Sequence, residues 1–209
     1  MTTLLVTGFG PFPGAPFNPT VPLVRRLARL RRPGLANVRI VGHVFPTSYV
    51  AVERELPVLI ARHKPEALLM FGLATRAKRL RIETRARNAL ALLPDVRGQN
   101  VLRTKIVPGG AAARPIPAPL VRLLDAARGA RVPGGLSPDA GRYLCNYACW
   151  RAAEAVAAPG GPRLAAFVHV PLVRRVPRPR RSGRRRWSHD DLARAGTAML
   201  MALAAAARR

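Results

Sequence analysis

The sequence predicts a three-layer α/β fold from its alternating elements, and a single domain from its length and composition. Short apolar runs of β type alternate with segments of helical periodicity, which is typical of strands and crossover helices packed in layers. The chain has 209 residues, of which 49% are hydrophobic, and this is enough for one sizeable core. We therefore expect a single domain over residues 1–209.

The start of the chain is predicted to be a strand, a loop and a helix. Residues 3–7 (TLLVT) form an apolar run, and the glycines and prolines of residues 8–16 then exclude regular structure. Apolar positions repeat at helical spacing over residues 21–32, with Asn18 or Thr20 as the candidate cap and a Pro-Gly pair at the end.

The next segment continues the alternation. We predict a strand over residues 38–45, a helix over residues 49–63 and a buried strand over residues 67–71. Residues 79–86 (RLRIETRA) alternate and predict an edge strand, whereas the turn residues of segment 88–110 predict an excursion from the main sheet.

The second half contains three predicted helices and one core strand. The helices cover residues 116–130, residues 143–158, which carry both cysteines, and a final segment that begins at Ser188. Ser188 and Asp191 form a capping-box pattern before the last apolar run. The core strand covers residues 164–170.

The chain is strongly basic. Its formal net charge is +26, from 36 Lys and Arg against 10 Asp and Glu, and such a charge attracts polyanions nonspecifically. In residues 174–186 (RRVPRPRRSGRRR), charge repulsion and proline predict an exposed flexible loop. One hypothesis is therefore a nucleic-acid or polyanion-binding protein, although no recognition motif accompanies this run.

Composition also bears on location. No opening segment resembles a secretory signal, and no uncharged apolar stretch has transmembrane length, so we expect a cytoplasmic protein without membrane contact. A disulfide between Cys145 and Cys149, four residues apart on one predicted helix, would stabilise almost nothing. Both are expected to be free thiols.

Cys145 is the candidate nucleophile. It follows the predicted turn at Gly141 and falls in the first turn of a helix, where unpaired backbone N–H groups favour the nucleophilic thiolate. The alternative is a buried cysteine that packs as a small hydrophobic side chain. Cys149, one turn further on and beside Trp150, is better interpreted as core.

His169 and Glu83 are the candidate base and orienting carboxylate. His169 ends an apolar strand, at the sheet edge where open α/β sheets place their sites; the alternative is a satisfied core histidine. Glu83 lies among arginines, and an ordinary ion pair is its alternative interpretation. The sequence has no metal-binding motif, and we expect no metal and no cofactor.

Four motifs together resemble the type I pyroglutamyl peptidases, a family of cysteine peptidases. TGFGPFPGAPFNPT resembles the family signature TGFxPFGG…NPS/T, YLCNY resembles the nucleophile motif Y-x-C-N, and FVHVP resembles F-I-H-V-P. RIETRARN resembles the segment E-R-V-A-x-N that holds the family's glutamate. The motifs occur in the family's order across nearly the whole chain.

This resemblance implies an α/β/α sandwich with a mixed, mostly parallel central sheet. It implies removal of N-terminal pyroglutamate from peptides, with Cys145 as nucleophile, His169 as general acid and base, and Glu83 as orienter. It also implies assembly as a homodimer or homotetramer, for which the excursion after residue 88 is the candidate interface. The implied substrate-binding residues are Phe9, Phe12, Leu73, Tyr143 and Leu144.

The chain departs from the family pattern beside the expected pocket. Leu73 replaces the glutamine of the family's G-Q-A-G-G-R segment, Thr84 replaces an arginine, and PFPG replaces PFGG. A third hypothesis is therefore a thiol hydrolase of the same fold with altered substrate specificity.

Overall fold

The structure, a computed structural model, describes residues 1–12, 14–99, 102–173 and 187–208. The loop predicted over residues 174–186 lies outside the described residues. The elements in chain order are strand β1 (Thr2–Phe9), helix α1 (Thr20–Ala28), a 3₁₀ turn (Pro33–Leu35), β2 (Val38–Phe45), α2 (Tyr49–His63), β3 (Ala67–Leu73), β4 (Leu80–Glu83), β5 (Arg85–Arg87), β6 (Ala113–Pro115), α3 (Leu120–Gly129), β7 (Gly134–Ser137), α4 (Leu144–Ala157), β8 (Leu164–Val170) and α5 (His189–Ala207).

Six strands form the central sheet, in the order β2-β1-β3-β8-β4-β7. The first four strands are mutually parallel. β4 pairs antiparallel with β8 and parallel with β7, so the last two strands run opposite to the others. β5 and β6 form a separate antiparallel pair. The predicted α/β fold with a mixed, mostly parallel sheet is confirmed.

Helices cover both faces of the central sheet. Alternate residues of a strand point to opposite faces, and in β1 Leu4 and Val6 pack with α1, α3 and α5, whereas Leu5 packs with α2 and α4. In β8, Val168 belongs to the first of these layers and Phe167 to the second. This alternation places the neighbouring His169 on the face that α4 covers.

The prediction of an edge strand at residues 79–86 is wrong. β4 lies inside the sheet between β8 and β7, and β7 is the edge. The alternation that suggested an exposed face comes from Arg81 and Glu83, but Glu83 has no solvent exposure and the Arg81 side chain is 34% exposed. β7 (GGLS) was not predicted, because its two glycines resemble a turn.

The loop after β1 is fixed by polar contacts. The Asn18 side chain donates to the Gly10 carbonyl at 3.0 Å and accepts from the Thr20 backbone at 3.1 Å. The Thr20 hydroxyl donates to the Phe9 carbonyl at 3.0 Å. Phe12 and Ala15 form a tight reversal closed by two backbone hydrogen bonds. The loop is thereby held against the carboxyl end of β1.

Other predictions hold within small shifts of boundary. α1 and α3 are shorter than predicted, while α2 and β2 have the predicted limits. The described residues of segment 88–110 contain no helix or strand, as expected for an excursion. Of the helices described, none is both long and apolar enough to cross a membrane.

The capping box of α5 generates a stability prediction. Ser188 accepts from the Asp191 backbone at 3.0 Å, and Asp191 accepts from the Ser188 backbone at 3.1 Å. Ser188→Ala leaves helix N–H groups unpaired and should lower the free energy of unfolding by about 1 kcal/mol. Chemical denaturation measures this change. Thr197→Ala, which removes a hydroxyl in the middle of the same helix, is the control, and an equal loss in both variants would contradict the capping role.

Candidate active site

The site lies at the carboxyl ends of the parallel strands β1, β3 and β8. The register pairs Gly72 of β3 with His169 of β8. β1 pairs Thr7 with Met70, and continuing this register by two residues brings Phe9 level with Gly72. Phe9, Gly72 and His169 therefore form a row on the face of the sheet that α4 covers. The position agrees with the rule that open α/β sheets place their sites at this edge.

A buried ion pair joins β8 to β4. His169 Nδ1 lies 2.7 Å from Glu83 Oε1, and the side chains are 6% and 0% exposed. Arg81 Nε lies 3.3 Å from the same carboxylate oxygen. Glu83 Oε2 is buried without a hydrogen-bond partner among the described residues. Because a buried carboxylate is costly unless compensated, this arrangement favours a positive charge on His169.

His169 is also in contact with Cys145. Burial alone would lower the pKa of His169, but the charge of Cys145 and hydrogen bonds to Cys145 and Glu83 raise that pKa to about 9. At neutral pH the ring is then an imidazolium, with Nδ1 donating to Glu83. The contacts connect Cys145, His169 and Glu83 in that order.

The thiol reaches this position because residue 72 has no side chain. A Cβ atom at Gly72 would lie 2.7 Å from Cys145 Sγ and 2.8 Å from the Phe167 ring. Real Cβ atoms do not approach other atoms so closely, so any larger residue at position 72 would displace the sulfur or the ring. Gly72 therefore permits α4 to place its first turn directly over the sheet.

The start of α4 offers unpaired N–H groups beside the sulfur. Gly141 has φ +84, a left-handed conformation that glycine adopts without strain, and the extended Tyr143 precedes the first helical residue. N–H groups in the first turn of a helix have no carbonyl partner within that helix. Cys145 lies in this turn, so these N–H groups are placed to bind an oxyanion formed at the sulfur.

Asn146, the residue after Cys145, connects α4 to the segment that follows Glu83. Its side-chain oxygen accepts from the Arg87 backbone at 2.8 Å, and its side-chain nitrogen donates to the carbonyls of Arg87 and Ala89 at 2.8 and 2.9 Å. The Asn146 side chain has no solvent exposure. These three hydrogen bonds fix the start of α4 relative to the segment that follows Glu83.

The excursion after β5 closes one side of the site. Tyr143 donates through its hydroxyl to the Pro94 carbonyl at 2.8 Å, and Ala91 donates to the Arg142 carbonyl. Burial, and then the charges of Asp95 and Cys145, raise the pKa of Tyr143. Burial by itself would raise the pKa of Asp95, but the neighbouring Ser48 and hydrogen bonds from the Arg97 and Gln99 backbone lower it. A charged carboxylate therefore lies beside Tyr143, the residue that precedes α4.

The structure brings the three predicted catalytic residues together. The predicted substrate-binding residues differ in solvent exposure. Phe9 is 3% exposed and packs on Phe45 with ring centroids 5.9 Å apart, whereas Phe12 is half-buried. Leu144 is buried in the core on the α4 side of the sheet. Strand alternation puts the side chain of Leu73 on the face opposite Gly72, away from Cys145. Substrate contact by these residues remains a prediction.

The remaining cysteine and histidines have structural surroundings. Cys149 has no solvent exposure, and burial, followed by the charges of Glu83 and Cys145, raises its pKa well above the usual value. This confirms its interpretation as a core residue. His43 pairs with Glu55 at 2.7 Å, and His63 lies 2.7 Å from an Arg39 nitrogen. Across the described ranges, no group of three or more His, Cys, Asp and Glu side chains could hold a metal ion.

Four residues of the site were not found by sequence reasoning: Gly72, Arg81, Asp95 and Asn146. Arg81 could have been found, because two-residue spacing in a strand puts it on the same face as Glu83. Gly72 could have been suspected as a glycine that ends an apolar strand. The hydrogen bonds that the Arg97 and Gln99 backbone donates to Asp95 are local, within four residues, whereas the partners of Asn146 are set by contacts more than fifty residues apart in sequence.

Comparison with known proteins agrees with this geometry. A family model described as pyroglutamyl peptidase matches residues 2–184. The chain is 30% identical over 171 residues to the pyrrolidone-carboxylate peptidase of Pyrococcus furiosus, with 81% of each chain covered. It is 33% identical over 173 residues to that of Deinococcus radiodurans, which covers 82% of this chain and 78% of the relative.

A solved structure shows the same fold. The pyrrolidone carboxyl peptidase from Thermococcus litoralis superposes with a TM-score of 0.87 at 26% identity, covering 97% of this chain and 93% of that one. The family match extends over most of the chain, and the structural match extends over nearly all of it. The chain therefore belongs to the pyroglutamyl peptidase family of cysteine peptidases.

Proposed function

We propose that this protein is a cysteine exopeptidase that removes an N-terminal pyroglutamyl residue from peptides. The observation that carries the proposal is the connected series Cys145, His169 and Glu83 at the carboxyl edge of the sheet. A thiol in contact with an imidazolium that is itself held by a buried carboxylate is the arrangement that activates a cysteine nucleophile. The family match supplies the substrate class.

In the first half of the reaction the enzyme is acylated. Cys145 Sγ, as the thiolate, attacks the carbonyl carbon that joins the pyroglutamyl residue to the next amino acid. The tetrahedral oxyanion is stabilised by backbone N–H groups in the first turn of α4. His169 then donates its proton to the leaving amine, the C–N bond breaks, and a pyroglutamyl thioester remains on Cys145.

In the second half water releases the product. Neutral His169 accepts a proton from water, whose oxygen attacks the thioester carbonyl. The C–S bond breaks, pyroglutamate leaves, and the thiolate and imidazolium are restored. Glu83 holds the ring orientation in both halves and stabilises its charged form, so the carboxylate does not itself exchange a proton.

Two structural features bear on substrate specificity. The lactam ring is flat and neutral, and the half-buried Phe12 on the loop after β1 offers apolar surface suited to such a ring. Leu73 points away from Cys145 by strand alternation, whereas Gly72 faces the sulfur. This favours retained pyroglutamyl specificity over the altered specificity that Leu73 suggested.

The direct assay uses purified protein with a pyroglutamyl amide of a fluorescent amine. We expect hydrolysis that a thiol alkylator abolishes, because the nucleophile is a cysteine, and little hydrolysis of the matching prolyl and alanyl amides. Turnover of the prolyl amide at a comparable rate would contradict pyroglutamyl specificity. Turnover that survives complete alkylation of Cys145 would contradict thiol chemistry.

The two cysteines provide a matched pair of variants. Cys145→Ala should lower kcat/KM by at least about 1,000-fold, because it removes the nucleophile. Cys149→Ala removes a buried sulfur four residues further along the same helix and should mainly lower stability, by about 1 kcal/mol. Steady-state kinetics and denaturation measure the two effects. Comparable activity losses in both variants would show that the helix, and not the Cys145 thiol, is required.

The His169–Glu83 pair predicts the alkaline limit of activity. The raised pKa of His169, about 9, means that the imidazolium is lost as pH rises through that value, so kcat/KM should fall there. Because the pKa of His169 is raised on folding, the pair stabilises the folded protein fully below pH 6.5, the ordinary histidine pKa. This stabilisation is lost as pH rises through about 9. Glu83→Gln keeps a hydrogen-bond acceptor but removes the charge, and should move the limit down by about one pH unit or more.

Glu55→Gln is the control for this variant. Glu55 also lies 2.7 Å from a histidine, His43, but on the surface, with side chains 37% and 27% exposed. The pH profile of Glu55→Gln should match that of the unmodified protein. An unchanged profile in Glu83→Gln would mean that the buried carboxylate does not set the charge of His169.

A further inference from the structure

A basic cavity adjoins the carboxylate end of the catalytic series. It has a volume of about 520 Å³ and lies where the turn after β3 meets β4 and β7. Ser137 and Leu136 of β7 form part of its wall. Four cationic side chains line it: Arg76, Lys78, Arg79 and Arg81.

Arg81 connects this cavity to the site. Its guanidinium donates to Ser137 Oγ at 3.0 Å through one nitrogen and at 3.2 Å through another, and it also donates to the Asp139 carbonyl. Its Nε lies 3.3 Å from Glu83 Oε1. Contacts therefore run from Cys145 through His169 and Glu83 to Arg81, which forms both the end of this series and a wall of the cavity.

Arg79 lies against the same strand. Its guanidinium is beside Gly135 of β7, where an added Cβ atom would be 3.1 Å from Cζ and from Nε. The absence of a side chain at position 135 leaves room for this guanidinium, which is exposed and can meet an anion from solvent.

The charge of the cavity is mostly uncompensated. Within the part of the chain that the structure describes, Arg81 is the only one of the four cations with an ion pair. Arg76, Lys78 and Arg79 are exposed. Another arginine-lined depression, of about 510 Å³ along α1, differs because its Arg26 is paired with Asp190 at 2.6 Å and because it has no contact with the site.

We propose that this cavity binds a phosphate-type oxyanion and that the bound anion modulates the reaction through Arg81. Guanidinium groups match the geometry of phosphate oxygens, and several cations in one cavity favour a multivalent anion over a single carboxylate. The added negative charge beside Arg81 offsets its attraction for Glu83 and stabilises the positive charge on His169. The anion therefore extends activity to higher pH. This coupling rests on the proposed function, whereas anion binding does not.

Binding is tested by calorimetric titration of the full chain with inorganic phosphate and tripolyphosphate, with ionic strength held constant by chloride. We expect saturable binding that Arg79→Gln weakens about tenfold, the effect of losing one charge-assisted hydrogen-bonding group. Arg29→Gln, an equal charge change on the α1 surface, should alter the affinity less than twofold. Equal weakening by both variants, or no effect of Arg79→Gln, would overturn the site.

A single-stranded oligonucleotide distinguishes the source of the phosphate. Competition by the oligonucleotide that Arg79→Gln abolishes would still support the cavity, with a nucleic-acid backbone as its ligand. Oligonucleotide binding that is insensitive to Arg79→Gln, with no binding of either inorganic probe, would overturn the proposal in favour of general surface attraction.

Coupling is tested by the pH profile of kcat/KM with and without saturating tripolyphosphate. The alkaline limit should rise by about 0.5 pH unit in the unmodified protein, a shift expected from one added charge nearby, and less in Arg79→Gln. Binding without any shift would overturn the coupling but leave the anion site. A protein that binds the anion yet has no pyroglutamyl activity would contradict the proposed function alone.

Discussion

The buried pair of Glu83 and His169 is the interaction on which the site depends. A carboxylate without solvent exposure is stable only if opposite charge and hydrogen bonds replace water, and here His169 and Arg81 provide them. The same compensation keeps the imidazole charged. The pair thus compensates the buried carboxylate and, in the proposed reaction, supplies the proton donor that a departing amine requires.

The pair requires a particular order of strands in the sheet. Glu83 can reach His169 only if β4 lies directly beside β8, and the antiparallel register that pairs Arg81 with His169 brings Glu83 to the same face. β7 then covers the outer side of β4 and supplies Ser137 to hold Arg81. In this antiparallel register Glu83 lies diagonally across from His169, and its side chain reaches His169 Nδ1 at 2.7 Å.

Several of these features could be predicted from the sequence, and others could not. The apolar runs of β1, β3 and β8 and the cap at Ser188 are local signals, so their elements were found close to their true limits. Glu83, His169 and Cys145 were predicted because strand ends and helix starts are recognisable places for chemistry, and the structure brings the three side chains together. The interior position of β4 was missed because its enclosure by Ser137 and Asp139 depends on residues more than fifty positions away. The hydrogen bonds of the Asn146 side chain were missed for the same reason, because they also join residues that are distant in sequence.

The charge of His169 at neutral pH decides whether the buried pair exists as an ion pair. Nuclear magnetic resonance of isotope-labelled histidine, with His169→Asn used to assign the signal, measures this charge directly as pH is raised. We expect a ring protonated on both nitrogens that titrates near the pKa of about 9. A ring that is already neutral at neutral pH would contradict the ion pair, because the thiol would then have no charged partner and the buried carboxylate no compensating cation other than Arg81.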